Sequence, residues 1–343
     1  MTTISFSNAR RARVLAAVVV AAASAACSDD QPTAPRVAAP TQPSAQLGGT
    51  PKPNCWPKCA PASRILYVKG DTINKIGHIW VMNEDTTGKQ PLGAVNADDD
   101  YPSWSPDYQK VVFSSKRRAG TYEIFVMNAD GTGVTPVTTA VNGSEDSYPS
   151  WSPDGSRIFF SRWAPNGTGF SLDVYSVNVS GSGLTRITNY RGMRFDEPSV
   201  SPDGKRVLAV GVPIGVGLDN AHIYSMTTTG TGLVKLTNTA TGEGTPRWSP
   251  DGTKIVFVSN FGYPDSRDIA TVNADGTGFK TVMSWPGSEE GPSFSRDGTR
   301  IVFTDYTFNR WGWLMTVKTD GTGLTQLQST NDLGSYYDAS WSR

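Results

Sequence analysis

Histidine and cysteine are almost missing from this chain: among its 343 residues there are two of the first and three of the second. That scarcity excludes a disulfide-stapled scaffold and leaves no paired Cys or His spacing of the kind a structural zinc site needs. No H-x-x-x-H or His/carboxylate metal spacing occurs, so neither metal nor cofactor is expected. A G-x-S-x-G nucleophile elbow is also missing. Basic tracts are short: Lys116-Arg117-Arg118 is the only cluster. It reads as a solvated loop and falls well below the electrostatic footprint of a nucleic-acid binder. Beyond Cys59 no stretch sustains helical periodicity.

What is present begins with the ends. Arg10, Arg11 and Arg13 precede the apolar run Val14–Ala26. That run is too short to span a bilayer as a mature helix but suits a secretory signal, placed at residues 1–26. It ends in Ser24-Ala25-Ala26-Cys27, which resembles the lipobox of bacterial lipoproteins, with Ser24 where Leu is usual. The resemblance implies lipidation of Cys27. An ordinary signal peptide beside a chance cysteine is the plainer alternative. Each buried acyl CH2 adds about 0.8 kcal/mol, so several chains would anchor the protein without a spanning helix. Residues 27–62, rich in Pro, Ala, Ser, Thr and Gln, cannot bury enough surface to offset ordering and read as a tether. Cys55 and Cys59 close it. In an exported, oxidising compartment a local disulfide is the first reading, and no second Cys pair supports a redox or metal role. Losing the three arginines leaves 28 basic against 31 acidic residues.

The remainder, 63–343, is one repeat. YPSWSPDYQKVVFSS at 101 is followed by YPSWSPDGSRIFFSR, EPSVSPDGKRVLAVG, TPRWSPDGTKIVFVS and GPSFSRDGTRIVFTD. Their prolines, Pro102, Pro149, Pro198, Pro246 and Pro292, stand 47, 49, 48 and 46 residues apart. Each copy continues into a second pattern, such as EIFVMNADGTGVTPVT at 123. A period in this range signals stacked or radial units. Each unit holds four short runs rich in β-branched and aromatic residues, in the first full copy 101–105, 110–115, 123–128 and 134–138. Between them, S-P-D-G has the residue order of a type I turn, and N-A-D-G follows the same logic.

Four antiparallel strands so joined make one propeller blade. Residues 64–93 supply three strands of a unit that lacks its first, and YYDASWSR at 336–343 supplies a lone first strand. The sequence therefore predicts an all-β, six-bladed β-propeller of four-stranded antiparallel blades. The C-terminal strand completes the N-terminal blade and closes the ring, which removes exposed sheet edges.

The paired motifs P-x-W-S-P-D-G and I-x-V-M-N-A-D-G resemble the propeller repeats of the TolB family over roughly 64–343. The resemblance implies a propeller in the bacterial envelope that grips a protein partner at its channel mouth, in TolB the peptidoglycan-associated lipoprotein. Three features depart from the family. The α/β domain that precedes TolB's propeller is replaced by a tether, and a lipid anchor replaces a soluble periplasmic form. Tyr108, Val200 and Arg296 also stand where other copies keep Gly, Trp and Pro.

Blade geometry puts the S-P-D-G and D-G-T-G turns on one face and the variable loops on the other. The variable loops hold Trp163, Phe170, Phe261, Tyr263, Tyr306, Phe308 and Trp311, with Arg162, Arg267 and Arg310 among them. Such aromatics suit a binding rim, or they fold over the blade tops as satellite clusters. Just ahead of each innermost strand stands a carboxylate: Asp100, Asp146, Glu197, Glu243, Glu290 and Asp338. The six would bind a cation or a basic peptide at the channel mouth, or accept backbone N–H groups of the next blade. His78 and His222 share a repeat register with Glu123, Asp173 and Asp268, so neither reads as a unique general base, and no catalytic residue is assigned. The resulting expectation is a monomeric, non-catalytic binding lipoprotein. It meets an envelope protein or glycan on its loop face and touches the membrane, the outer in preference to the inner, only through its lipid. The alternative is a propeller-type glycan lyase or hydrolase with its site at the central channel.

Overall fold

In the computed structural model the described residues are 63–71, 76–93, 97–118, 120–167, 169–260, 267–285, 287–306, 312–328 and 335–341. The expected signal peptide and tether, with Cys27, Cys55 and Cys59, lie outside them. The described chain forms six four-stranded antiparallel sheets. Their innermost strands are Ser335–Trp341 in blade 1, then Asp99–Trp104, Glu145–Trp151, Met193–Val200, Gly244–Trp248 and Glu289–Phe294 in blades 2 to 6. Blade 1 is shared by two distant segments, as the repeat count predicts: Ile65 lies opposite Trp341 and Lys69 opposite Tyr336. The Trp341 indole also donates to Ser63 Oγ at 2.5 Å.

The core lies between blades. In Lys110–Ser115, the second strand of blade 2, everything but Lys110 is buried. Val111 and Phe113 join Leu66, Ile79 and Val81 of blade 1, while Val112 turns to Trp151, Ile158 and Phe160 of blade 3. Successive side chains of a strand point to opposite faces, and here both faces are covered. That is why the strand reads VVF instead of alternating. Each such burial stabilises by about 1.5–3 kcal/mol, so cohesion is largely a property of neighbouring blades together. The repeated tryptophans add a stitch. The Trp151 indole donates to the Ser103 carbonyl and Trp248 to that of Ser199, both at 3.2 Å into the preceding blade.

One face is built of aspartate turns. Gly155 N–H donates to the Ser152 carbonyl at 2.9 Å, and Ser152 Oγ donates to Asp154 Oδ1 at 2.5 Å. Asp154 also accepts from Ser156 N–H at 3.0 Å. The D-G-T-G turns, and the T-G-T-G turn that stands in their place in blade 4, rest on the preceding blade. At Gly230, with φ of +83°, a Cβ would lie 2.0 Å from the Ile187 carbonyl oxygen, so only glycine fits. Observed strand limits in blade 2 are 99–104, 110–115, 123–128 and 135–136. The fourth strand is shorter than its sequence suggests because only Phe125–Pro136 and Val126–Thr135 pair, which leaves a short, unaggressive outer edge.

Candidate functional site

Each innermost strand is interrupted at one register. In blade 2, Asp100 pairs with Ser114 and Ser103 with Val112, so Tyr101 and Pro102 together face Phe113. This is a β-bulge, and proline, which has no N–H to donate, sits in it without loss. The same slip occurs after Ser147, Asp196, Gly244 and Glu290. The bulged residue has positive φ in all six blades: Tyr101, Tyr148, Glu197, Thr245, Gly291 and Asp338. For the five that are not glycine this costs of order 1–3 kcal/mol each, a strain characteristic of functional positions.

The bulges surround the axis. A cavity of about 70 Å³ is lined by Tyr101, Tyr148, Thr245, Gly291 and Asp338 at the bulge level. Its next level is Ser103, Ser150, Ser199, Arg247, Ser293 and Ser340. Five hydroxyls and one guanidinium thus form a ring in which a single blade breaks the symmetry. The Tyr101 and Tyr148 rings approach to 3.9 Å between centroids.

The six carboxylates singled out in the sequence do not form one ring. Glu197 and Asp338 occupy the bulge, Asp100 and Glu290 the position before it, and Asp146 and Glu243 the position before that. These offsets break the ring, and most of the group is held by partners within a blade or across to the next one. Only Asp338 lines the cavity. Asp100 accepts from the Tyr122 hydroxyl, and Asp146 accepts two bonds from Arg162 at 2.6 and 2.7 Å, both side chains buried. Glu243 meets His222 Nδ1 at 2.8 Å and accepts from Thr237 at 3.0 Å. Glu290 pairs with Arg267, and Glu197 accepts from the Thr245 N–H of the next blade, one of the structural roles foreseen for the group.

Burial dominates the electrostatics of this face. It pushes the Asp99 carboxyl up to about 6, against the pull of Ser115 and of Arg117, whose guanidinium donates to it at 2.8 and 2.9 Å. It raises Asp146 in the same direction, opposed by Arg162. Glu289 goes furthest. Its carboxylate is fully buried with no hydrogen-bond partner among the described residues, and burial, then the charges of Asp305 and Asp268, push it up to about 8. Asp99 and Glu289 were not singled out in the sequence. Their signal was the acidic doublet, Asp99-Asp100 and Glu289-Glu290, in which the second member drew the attention.

Of the rim aromatics, Trp163 and Phe170 stand in strands, where loops were expected. The strands Arg157–Asn166 and Gly169–Asn178 of blade 3 run ten residues each and rise as one hairpin, with Trp163 opposite Leu172 and Phe170 opposite Pro165. The two rings lie 5.7 Å apart. Tyr306 follows the strand Arg300–Asp305 and is half-buried. Phe261, Tyr263, Phe308 and Trp311 lie outside the described residues. Among those described, no group of three or more His, Cys, Asp or Glu is arranged to hold a metal ion. The arrangement offers apolar and aromatic surface around carboxylates that mostly have internal partners.

Comparison with known proteins agrees with this geometry. The model of the TolB beta propeller domain family matches residues 46–277. The crystal structure of TolB from Acinetobacter baumannii superposes with a TM-score of 0.67 at 22% identity, covering 82% of this chain and 66% of that one. The chain therefore spans just under two thirds of that protein's length. A structure named as a TolB from Agrobacterium tumefaciens gives a TM-score of 0.60 at 20% identity, covering 78% of this chain and 88% of that one. An oligogalacturonate lyase in complex with manganese gives 0.52 at 14% identity, covering 77% and 72%. At these identities the likenesses speak to fold alone. No curated protein matches the sequence.

Proposed function

The chain belongs to the TolB β-propeller family, and from that premise we propose that it is a non-catalytic binding protein of the bacterial cell envelope. It presents its loop face to a protein or glycan partner. The observation that supports this reading is the division of labour on that face. Trp163 and Phe170 stand on a raised hairpin, and Val141 and Ile214 are exposed, whereas Asp99, Asp100, Asp146, Glu243 and Glu290 are tied to side chains of the protein itself. A face built this way has surface to bind with and few acids left to move protons. Export, with Cys27 acylated and residues 27–62 as tether to the outer membrane, completes the proposal. It rests on the sequence pattern around Cys27.

Three experiments test it. Crosslinking and recovery from native envelopes is compared between the wild type and a variant with Trp163, Tyr263 and Trp311 all changed to Ala. The expected outcome is loss of the wild-type partners at unchanged melting temperature; recovery of the same partners removes the rim as the site. Cleavage of oligogalacturonate by the purified protein would instead favour a glycan lyase. For the anchor, Cys27→Ala is expected to release folded protein from the membrane fraction, and its retention there would end the lipoprotein reading.

A further inference from the structure

We infer that the junction of blades 3 and 4 on the loop face, where Arg194 packs on Phe170, is a binding site for an extended acidic peptide, with Arg194 as the group that receives a carboxylate. The inference rests on the binding-platform reading and names the chemistry of the partner.

Most arginines of this face are tied down, and Arg191, in the link between blades 3 and 4, is exposed to solvent. Arg117 pairs with Asp99, Arg118 with Glu123, Arg162 with Asp146 and Arg267 with Glu290. Arg194, in the innermost strand of blade 4, differs. Its guanidinium lies 4.0 Å over the Phe170 ring of blade 3, and among the described residues no carboxylate accepts from it. Its Nε is buried without a hydrogen-bond partner. Burial alone lowers its pKa, with no acid pulling it back up. The indole Nε1 of Trp163, whose ring touches Phe170, is likewise buried and unpartnered. Two donors from neighbouring blades are therefore left without acceptors around one aromatic ring. Buried donors left unmade cost about 1–3 kcal/mol each, and an incoming carboxylate would recover part of that.

The surroundings decide what carries the carboxylate. Ile214, whose N–H bonds the Gly192 carbonyl at 2.8 Å beside the Arg194 strand, is 54% exposed. Val216, in the same loop, and Val141, in the link whose Gly143 approaches Pro165 of the hairpin, are 47% and 53% exposed. Branched aliphatic side chains match apolar side chains of a peptide; a sugar would ask for planar amides and acids to meet its hydroxyls. The hairpin also leaves an edge. The fourth strand of blade 3 pairs only with Tyr175 and Ser176, so among the described residues no strand lies beside the outer edge of Gly169–Leu172. An extended segment can add there by main-chain hydrogen bonds. Glu145, the acid opposite Trp163 in register, has its carboxyl raised above the usual range, chiefly by burial and against the pull of Lys116.

The test is selection of phage-displayed random peptides on the wild-type protein, followed by titration of the enriched peptides, fluorescein-labelled, against wild type, Arg194→Gln, Arg194→Lys and Arg247→Gln. The expected result is enrichment of Asp or Glu flanked by apolar residues, with binding at least about tenfold weaker in Arg194→Gln. Arg194→Lys, which keeps the charge and loses the flat stack, is expected to be intermediate, and Arg247→Gln unchanged. Affinity should also fall as salt rises. Arg194→Lys carries the comparison if Arg194→Gln does not fold. Enrichment of neutral or basic peptides, no enrichment at all, binding indifferent to residue 194, or binding of oligogalacturonate at this position each overturns the inference. Envelope partners that Arg194→Gln still captures would leave the platform reading standing while this one falls.

Discussion

The two faces of the propeller use the same residue type in opposite ways. On the turn face, Asp85, Asp107, Asp130, Asp154, Asp203, Asp251, Asp275, Asp297 and Asp320 all accept hydrogen bonds from their own turns. Those bonds hold their carboxyls below the usual range. On the loop face, burial pushes Asp99, Glu145, Asp146, Asp173 and Glu289 upward. The turn face is the same device nine times over and its acids are favoured when charged. The loop face is different in each blade, and burial opposes the charging of these five acids. An acid therefore marks a place for chemistry or binding by its surroundings, and repetition with satisfied neighbours marks punctuation.

The largest expected effect asks whether either face exists without closure. Ending the chain before Tyr336 removes buried Tyr336 and Trp341 and a whole inner strand. Loss of a single cooperative melting transition is the expected outcome, and an unchanged calorimetric profile would show that blade 1 does not need its C-terminal strand. Next comes Gly230→Ala on the turn face. Positive φ and the Ile187 carbonyl both oppose a Cβ there, so a loss of roughly 2–4 kcal/mol is expected in urea unfolding.

Glu289→Gln sharpens the contrast from the loop side. Its folded pKa of about 8 stands above the ordinary 4.5, so its contribution to stability is whole below pH 4.5 and is lost as pH rises towards 8. The Gln variant should match the wild type near pH 4.5 and exceed it by roughly 2–4 kcal/mol at pH 8. A difference that stays flat from pH 5 to 8 would mean the carboxyl is not held neutral. The smallest effect belongs to Asp154→Ala. With its carboxyl held low by Ser152 and Ser156, the wild type should lead by less than about 1 kcal/mol at neutral pH. That lead should vanish as pH falls through the depressed carboxyl range, and a lead that grows in acid would reverse the assignment of this face.

Much of the fold was legible because the repeat states it five times, and because the lone ends at Arg64 and Tyr336 complete each other. The turns were legible too, since Ser152-Pro153-Asp154-Gly155 carries its own mechanism. Register was harder. The spacing ahead of each proline puts Asp146 and Glu197 in one ring, although in the fold Asp146 is held by Arg162 and Glu197 by Thr245 of the next blade. The blade-3 hairpin had a trace in the sequence, with Trp163 and Pro165 alternating on one strand and Phe170 and Leu172 on the other. Arg194 had none. What distinguishes it is a missing partner, and that is a property of space alone.

The shared first blade also sets an order in time. Trp341 and Ser63, which meet in the finished ring, are 278 residues apart. Closing so long a loop costs about 5 kcal/mol of chain entropy before any contact offsets it, against about 1–2 kcal/mol for one of the tight hairpins. Blades 2 to 6 can collect their strands from near neighbours as the polypeptide lengthens, but blade 1 stays open until Ser335–Trp341 has been made. The seven-residue strand Ser335–Trp341 thus acts as a clasp that is fastened after the other blades have gathered their strands.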